Sequence, residues 1–350
     1  MFFNYAFGIR TSLMVTLASI IALIVDADDP WWAAMSAMTV ANADWTNVWR
    51  KGVQRVIGTV AGGFSGYWIA VAVKNYEIFQ MIAVGSLAAL AIYKRMASPS
   101  YAYAWLMGIV TAMLAVYISL IEIDRLFYLM VDRTITVAIG VITAAVVSYF
   151  FLEETSIGVG VGPFLTPNID SMDKSWVFAL CLSGAAVAMI APIVYVGHDL
   201  AAMVQIIITS LVVLYGPVVS VKKFALNRCL GCFIGGLMGF GLIGLGLQSF
   251  FWWALLLAIG LFFLASVHHG KSYWAYAGTQ GGYAFVIAAL ASAGPVDNFN
   301  QVVDRLVGVI LGAVIAIIVL VVVRIWQGAD FPDIEHINRK KARKTATKRP

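Results

Sequence analysis

The chain has 350 residues, 61% hydrophobic and 12% charged, against roughly 25% charged residues in a soluble domain. Such a sequence has too little polar surface to face water on all sides, which excludes an ordinary soluble enzyme and argues against nucleic-acid binding. The net charge of +5 lies wholly in the tail, because eight Lys/Arg and three Asp/Glu follow from Arg324 onward and everything before sums to zero.

Apolar runs of about 20 residues, each long enough to span the hydrocarbon core, recur along the chain. They fall at 5–25, 30–48, 52–73, 76–93, 99–120, 127–152, 175–196, 200–219, 223–247, 250–267, 273–293 and 300–325. Backbone in lipid must satisfy its own hydrogen bonds, so the predicted class is an all-α, polytopic membrane protein of about 12 transmembrane helices. The first run follows Met1-Phe2-Phe3-Asn4-Tyr5, without a basic n-region, and ends in Asp26, Asp28 and Asp29 rather than a cleavage site, so it is expected to remain as an anchor. The second and eighth are the weakest. The second ends in Asn42, Asp44, Thr46 and Asn47, the mark of either a complete or a re-entrant element.

Basic residues sort to alternate loops: Arg50, Lys51 and Arg55; Lys94 and Arg95; Lys174; Lys222, Lys223 and Arg228; Lys271; and the tail. The opposite loops carry Lys74 and Arg125 against Asp26, Asp28, Asp29, Glu77, Glu122, Asp124, Asp199 and Asp297. The positive-inside rule then places both termini in the cytoplasm and supports an even number of spans. Cys181, Cys229 and Cys232 lie within apolar helices, which excludes a disulfide framework.

A repeat organises the chain. Arg55-Val-Ile-Gly58-Thr-Val-Ala-Gly62-Gly63-Phe-Ser-Gly66 returns as Arg228-Cys-Leu-Gly231-Cys-Phe-Ile-Gly235-Gly236-Leu-Met-Gly239, at an offset of 173 (228 − 55). Ser100-Tyr101 and Val131-Asp132-Arg133 return at Ser272-Tyr273 and Val303-Asp304-Arg305, both at an offset of 172 (272 − 100, 303 − 131). A weaker echo pairs Ala33-Ala34-Met35 with Ala201-Ala202-Met203 at 168 (201 − 33). Six spans per copy give both copies one orientation, so two parallel six-helix repeats related by a pseudo-two-fold axis along the membrane normal are expected. The predicted division is a first repeat at 1–152, a cytoplasmic linker at 153–174 broken by Gly158, Gly160, Gly162, Pro163 and Pro167, a second repeat at 175–325, and a basic cytoplasmic tail at 326–350.

Intramembrane charges are costly and point to function. Asp132-Arg133 and Asp304-Arg305 open the last span of each copy, Arg55 and Arg228 open the third, and Arg10 lies in the first span without an arginine at the equivalent place in the second copy. The arginines are candidate anion-binding groups and the aspartates candidate proton carriers; interhelix salt bridges and snorkelling to the interface are the competing explanations. The glycines stack on one face and suit close helix packing. Thr39, Asn42, Gln205, Thr209, Thr279 and Gln280 are candidates for a pathway lining, and so are Tyr101 and Tyr273, though interfacial belts also explain the aromatics. His198-Asp199 reads as an interfacial histidine, His268-His269 lacks the partners of a metal site, and Cys229-x-x-Cys232 reads as packing. Walker, Gly-x-Ser-x-Gly and His-Glu-x-x-His motifs are absent, so no enzyme activity, metal or cofactor is expected.

On the repeated Arg-x-x-Gly-Thr-x-x-Gly-Gly stretch at Arg55, the preceding Pro30-Trp31-Trp32 helix and the Asp132–Gly140 and Asp304–Gly308 helices, the chain resembles the fusaric acid resistance and aromatic acid exporter family of inner-membrane proteins. The resemblance covers residues 5–325. It implies proton-driven export of small organic acids, often aromatic carboxylates, from the bacterial inner membrane, assisted by a periplasmic membrane-fusion protein. It leaves a homo-oligomer open. Between and after the two predicted repeats, the large cytoplasmic domain of bigger exporters is not expected. Beside a proton-linked exporter stand a passive organic-anion channel and a non-transporting subunit of an envelope complex.

Overall fold

The computed structural model describes residues 3–120, 122–151, 173–194, 200–214, 218–247, 249–290 and 300–328. The linker at 153–174 lies almost wholly outside the described residues, as do His198-Asp199 and the tail beyond residue 328. Twelve α-helices are present and no strand, among the described residues: α1 Tyr5–Ile24, α2 Trp31–Val40, α3 Trp45–Val73, α4 Glu77–Ala97, α5 Ala102–Ile118, α6 Leu126–Phe150, α7 Lys174–Val194, α8 Leu200–Val213, α9 Val218–Gly244, α10 Phe250–His268, α11 Ala275–Ala289 and α12 Asn300–Trp326. Nine segments of the described chain, with α2, α8 and α11 the helices left out, are long and apolar enough to cross a membrane.

One short helix differs from its expected span. At 1.5 Å per residue, α2 with ten residues covers about 15 Å, less than the roughly 30 Å hydrocarbon core. The second span stops at Val40 instead of running to residue 48. Asp44 then starts α3 early, its side chain accepting from the Thr46 amide at 3.0 Å, as an N-cap does. Glu77 in the first turn of α4 and Lys94 and Arg95 in its last complement the helix dipole. After α9 the chain reverses at Gly246, whose φ of +56° is the left-handed conformation glycine takes past a helix end.

Packing follows the duplication. α3 lies along α5 as α9 lies along α11, α1 along α10 as α7 along α4, and α2 along α6 as α8 along α12. The α1–α10 and α4–α7 packings join one copy to the other. In α3, a Cβ on Gly62 would collide with the carbonyl of Gly108, and a Cβ on Gly235 in α9 would strike that of Gly281, so each pair of helices touches backbone to backbone. Gly140 likewise admits the carbonyl of Ala33, and Gly312 that of Ile206.

These contacts fix the register between copies. Gly140 is packed by Ala33 and Ser36, Gly312 by Ile206 and Thr209, so α2 and α8 correspond at an offset of 173 (209 − 36). The echo at 168 is therefore not the structural pairing. Ala104 meets Gly58 as Ala277 meets Gly231, again at 173 (277 − 104), so Trp274 is one residue inserted between the tyrosine echo and α11.

Candidate functional site

Midway through the bundle, the short helices bring polar groups against the long ones. On α2, Trp32, Ser36 and Thr39 share one face at i, i+4 and i+7. Arg55, about 15 Å along α3 at 1.5 Å per residue, reaches this face. Its Nε donates to Ser36 Oγ at 2.9 Å, and its Nη1 donates to the Tyr103 hydroxyl at 2.8 Å, with Met107 Sδ 3.3 Å away.

The second copy repeats the arrangement. Arg228 Nε donates to Thr209 Oγ1 at 2.9 Å, and Arg228 Nη1 to the Tyr276 hydroxyl at 3.2 Å. The arginine and both of its partners keep the offset of 173 from their counterparts (228 − 55, 209 − 36, 276 − 103).

A second arginine stands beside each of these. Arg133 is 6% exposed and lies over the Trp32 indole at 3.5 Å, within the electrostatic reach of Arg55. Arg305 is 3% exposed, beside Arg228 and Cys232, with the Tyr283 ring 5.9 Å away. Nε and Nη1 of both Arg133 and Arg305 are buried without a hydrogen-bond partner. Among the described residues the ion pairs are Arg125 with Asp28 and with Glu122, so none of them engages Arg55, Arg133, Arg228 or Arg305. A guanidinium stays charged even when buried, and one left without an ion partner is costly unless an anion arrives.

The copies differ around this shared frame. Tyr283 donates to or accepts from Thr39 at 2.6 Å across the junction of the halves, and it lies near Tyr103, Tyr276 and Arg55. At the positions corresponding by the same offset stand Val110 for Tyr283, Val212 for Thr39, Gln205 for Trp32 and Gln280 for Met107. Gln205 and Gln280 are buried, and Gln280 Oε1 has no partner.

The remaining predicted residues fall elsewhere. Arg10 donates from Nη2 to the Asn42 carbonyl, just past the broken end of α2, where helix carbonyls lack partners. It is thus apart from the arginine pairs. The Asn42 side chain accepts from the Asp44 amide at 3.0 Å and shapes the break. Tyr101 and Tyr273 are 64% and 48% exposed on the outside of the bundle, and Tyr103 and Tyr276 turn inward instead. Thr279 is bound to His268 Nδ1 at 2.6 Å.

Asp132 accepts from the Asp28 amide at 3.4 Å, at the end of the bundle that carries the acidic loops. Asp304 is half-buried at the equivalent place on α12. Asp29, in the loop before α2, was not among the predicted site residues. It accepts from Trp31 Nε1 at 3.1 Å. Burial raises its pKa above the usual carboxylate range, the Trp31 bond opposes this, Asp132 adds to it, Arg133 opposes it and Asp28 adds to it.

Sequence reasoning missed Ser36, Tyr283 and Asp29, and left Trp32, Tyr103 and Tyr276 among the aromatics near span ends, explained either by interfacial belts or by stacking on a planar ligand. The usable signal was the offset of 173 itself, which pairs Ser36 with Thr209 once Arg55 is paired with Arg228.

Neither the curated proteins nor the solved structures contain a significant match to the chain. The family model described as fusaric acid resistance protein-like matches residues 17–147 and again 190–319. The starts of the two matched segments differ by 173 (190 − 17) and their ends by 172 (319 − 147), the spacing of the arginine frame. With both repeats matched across most of its length, the chain belongs to the fusaric acid resistance protein-like family.

Proposed function

We propose that this multi-pass membrane protein is a transporter that exports small organic anions, aromatic carboxylates among them, from the cytoplasm in exchange for protons. The observation that carries the reading is the pair of buried arginines in each copy, with Nε and Nη1 of Arg133 and Arg305 unpartnered and none of the four in an ion pair among the described residues. The guanidinium fork matches a carboxylate in two parallel hydrogen bonds, and the charge is worth most where water is excluded.

Aromatic side chains at the same depth supply flat apolar faces: Tyr103 and Tyr276 through their hydrogen bonds to the arginines, and Tyr283 between them. In this reading the basic loops and the Arg10 end of the bundle face the cytoplasm and the Asp29–Asp132 end faces outward, as the positive-inside rule favours. Asp132 and Asp304, each adjacent in sequence to an anion-binding arginine, are the proton carriers of this reading. A carboxylate that loses its proton beside the arginine competes with the substrate for the same cation, and that competition links the two fluxes.

The test is flux of labelled benzoate through proteoliposomes under an imposed pH gradient. Wild type should move benzoate against its gradient, and the Arg133→Gln/Arg305→Gln double variant should insert normally and move none. Unchanged flux in the double variant defeats the arginine assignment. Flux that follows voltage alone and moves no protons makes the same residues a passive channel.

A further inference from the structure

The end of the bundle that carries the basic loops holds a second gathering of basic groups, and the arginine pairs do not use it. His268 and His269 close α10, their rings 4.6 Å apart. His269 Nε2 is hydrogen-bonded to Thr11 Oγ1 at 2.7 Å and His268 Nδ1 to Thr279 Oγ1 at 2.6 Å. Arg10 and Lys51 are close enough for their charges to act on His269, and Lys51 acts on His268 too. Arg10 is 7% exposed and Lys51 is half-buried. Among the described residues no carboxylate forms an ion pair with Lys51 or with either histidine.

The second copy does not repeat this gathering at the equivalent positions. The α1–α10 and α7–α4 packings correspond at the same offset of 173, as the Ser12–Ala258 contact (2.5 Å, Oγ to carbonyl) and its counterpart Ala185–Gly85 show. At the α7–α4 junction the four basic positions become Ser183, Phe224, Arg95 and Met96. At those four positions one cation stands for two cations and two imidazoles; the other buried cation against that end of α7, Arg324, comes from α12 and lies over the Trp176 ring at 5.2 Å. The basic junction also holds the broken end of α2 through the Arg10–Asn42 contact, and α2 is the helix that carries Ser36, Thr39 and Trp32 toward Arg55 and Arg133.

We infer that the α1–α10 junction at Arg10, Lys51, His268 and His269 is a binding site for the carboxylate of the substrate, the single cytoplasmic entrance to a route that runs along α2. The inference rests on the transport reading above and adds that the two copies are unequal: the pseudo-symmetric α7–α4 junction admits nothing. An anion held here lies one step from Arg55, and it meets α2 at the place where that helix lacks its own continuation.

The experiment uses the full chain in proteoliposomes of known orientation, with labelled benzoate presented at either face, and equilibrium dialysis of benzoate against the purified protein. Lys51→Gln and Arg10→Gln should each raise KM at the basic-loop face about tenfold or more, the loss of one charge-assisted hydrogen bond. KM at the opposite face should not move, Lys51→Arg should restore the wild-type value, and Arg95→Gln should change neither face. An unchanged KM at the basic-loop face, or an equal effect of Arg95→Gln, overturns the inference. So does an effect of Lys51→Gln that disappears in liposomes lacking anionic lipid, which would assign the site to a lipid headgroup. No benzoate flux through the wild type defeats the transport reading instead; dialysis that Lys51→Gln leaves unaltered then defeats this one as well.

Discussion

The two halves of the molecule keep the same cations on the same hydroxyl partners and differ in what surrounds them. Arg55 with Ser36 and Tyr103 is matched by Arg228 with Thr209 and Tyr276, bond for bond. Yet Arg133 lies flat against Trp32, whereas Arg305 has Gln205 where that indole would be, the Cys232 thiol beside it and the more distant Tyr283 ring. A cation–π contact in a desolvated place is worth about 2 kcal/mol, and the indole at 3.5 Å covers the face of Arg133 more closely than the ring at 5.9 Å covers that of Arg305. The duplication therefore supplies the frame, and the divergence of its neighbours decides which arginine an anion meets.

The largest effect expected from breaking this comparison is on affinity. Arg305→Gln should raise KM for benzoate by about 10-fold or more, and Arg133→Gln by distinctly less, because both forks are unpartnered but the close indole face already stabilises the Arg133 charge. Equal effects of the two single variants in the same flux measurement would show that the halves bind alike.

Next in size is the seam that both copies share. Gly62→Ala and Gly235→Ala should each cost at least about 1–3 kcal/mol, the range for overpacking, and by similar amounts, since each Cβ would meet a backbone carbonyl that cannot yield. Gly241→Ala, on the same helix as Gly235 but with nothing within 4 Å, should be neutral or gain up to about 1 kcal/mol. Thermal unfolding in detergent separates these outcomes, and a tolerated Gly62→Ala would remove the backbone seam from the account.

The smallest effect concerns a charge that only the first copy carries. The Asp29 pKa is raised by burial, so the stability this group contributes is complete below the ordinary carboxylate range and is lost as pH rises through its raised value. Asp29→Asn keeps an oxygen for the Trp31 bond and has no charge to bury. It should melt higher than wild type at neutral pH and equal to it in acid; a gap that persists in acid would mean that packing, not ionisation, is responsible.

Helix number, class and duplication could be read from residue order because lipid leaves few alternatives: a span needs length, and an arginine inside one is conspicuous. Arg55, Arg133, Arg228 and Arg305 were found for that reason. Ser36 and Tyr283 were not, since a lone hydroxyl in an apolar helix looks the same whether it bonds only its own turn, as Ser65 does to Ala61, or, like Ser36, also accepts from an arginine on another helix. Trp32 resembled an interfacial tryptophan because its ring's partner, Arg133, lies far along the chain on α6. The break after α2 was legible in the polar stretch Asn42, Asp44, Thr46 and Asn47, but its place at Val40 was not, as an apolar helix that halts looks the same up to its last turn as one that continues.

The glycine contacts of α3 on α5, and of α9 on α11, also bear on how such a molecule could change shape. Where two main chains touch with no side chain between them, sliding one past the other by a single residue, about 1.5 Å, would press the carbonyl of Gly108 or Gly281 against side-chain-bearing positions. Each pair is thereby riveted into one stiff plank. Any opening and closing has to come from planks tilting against one another.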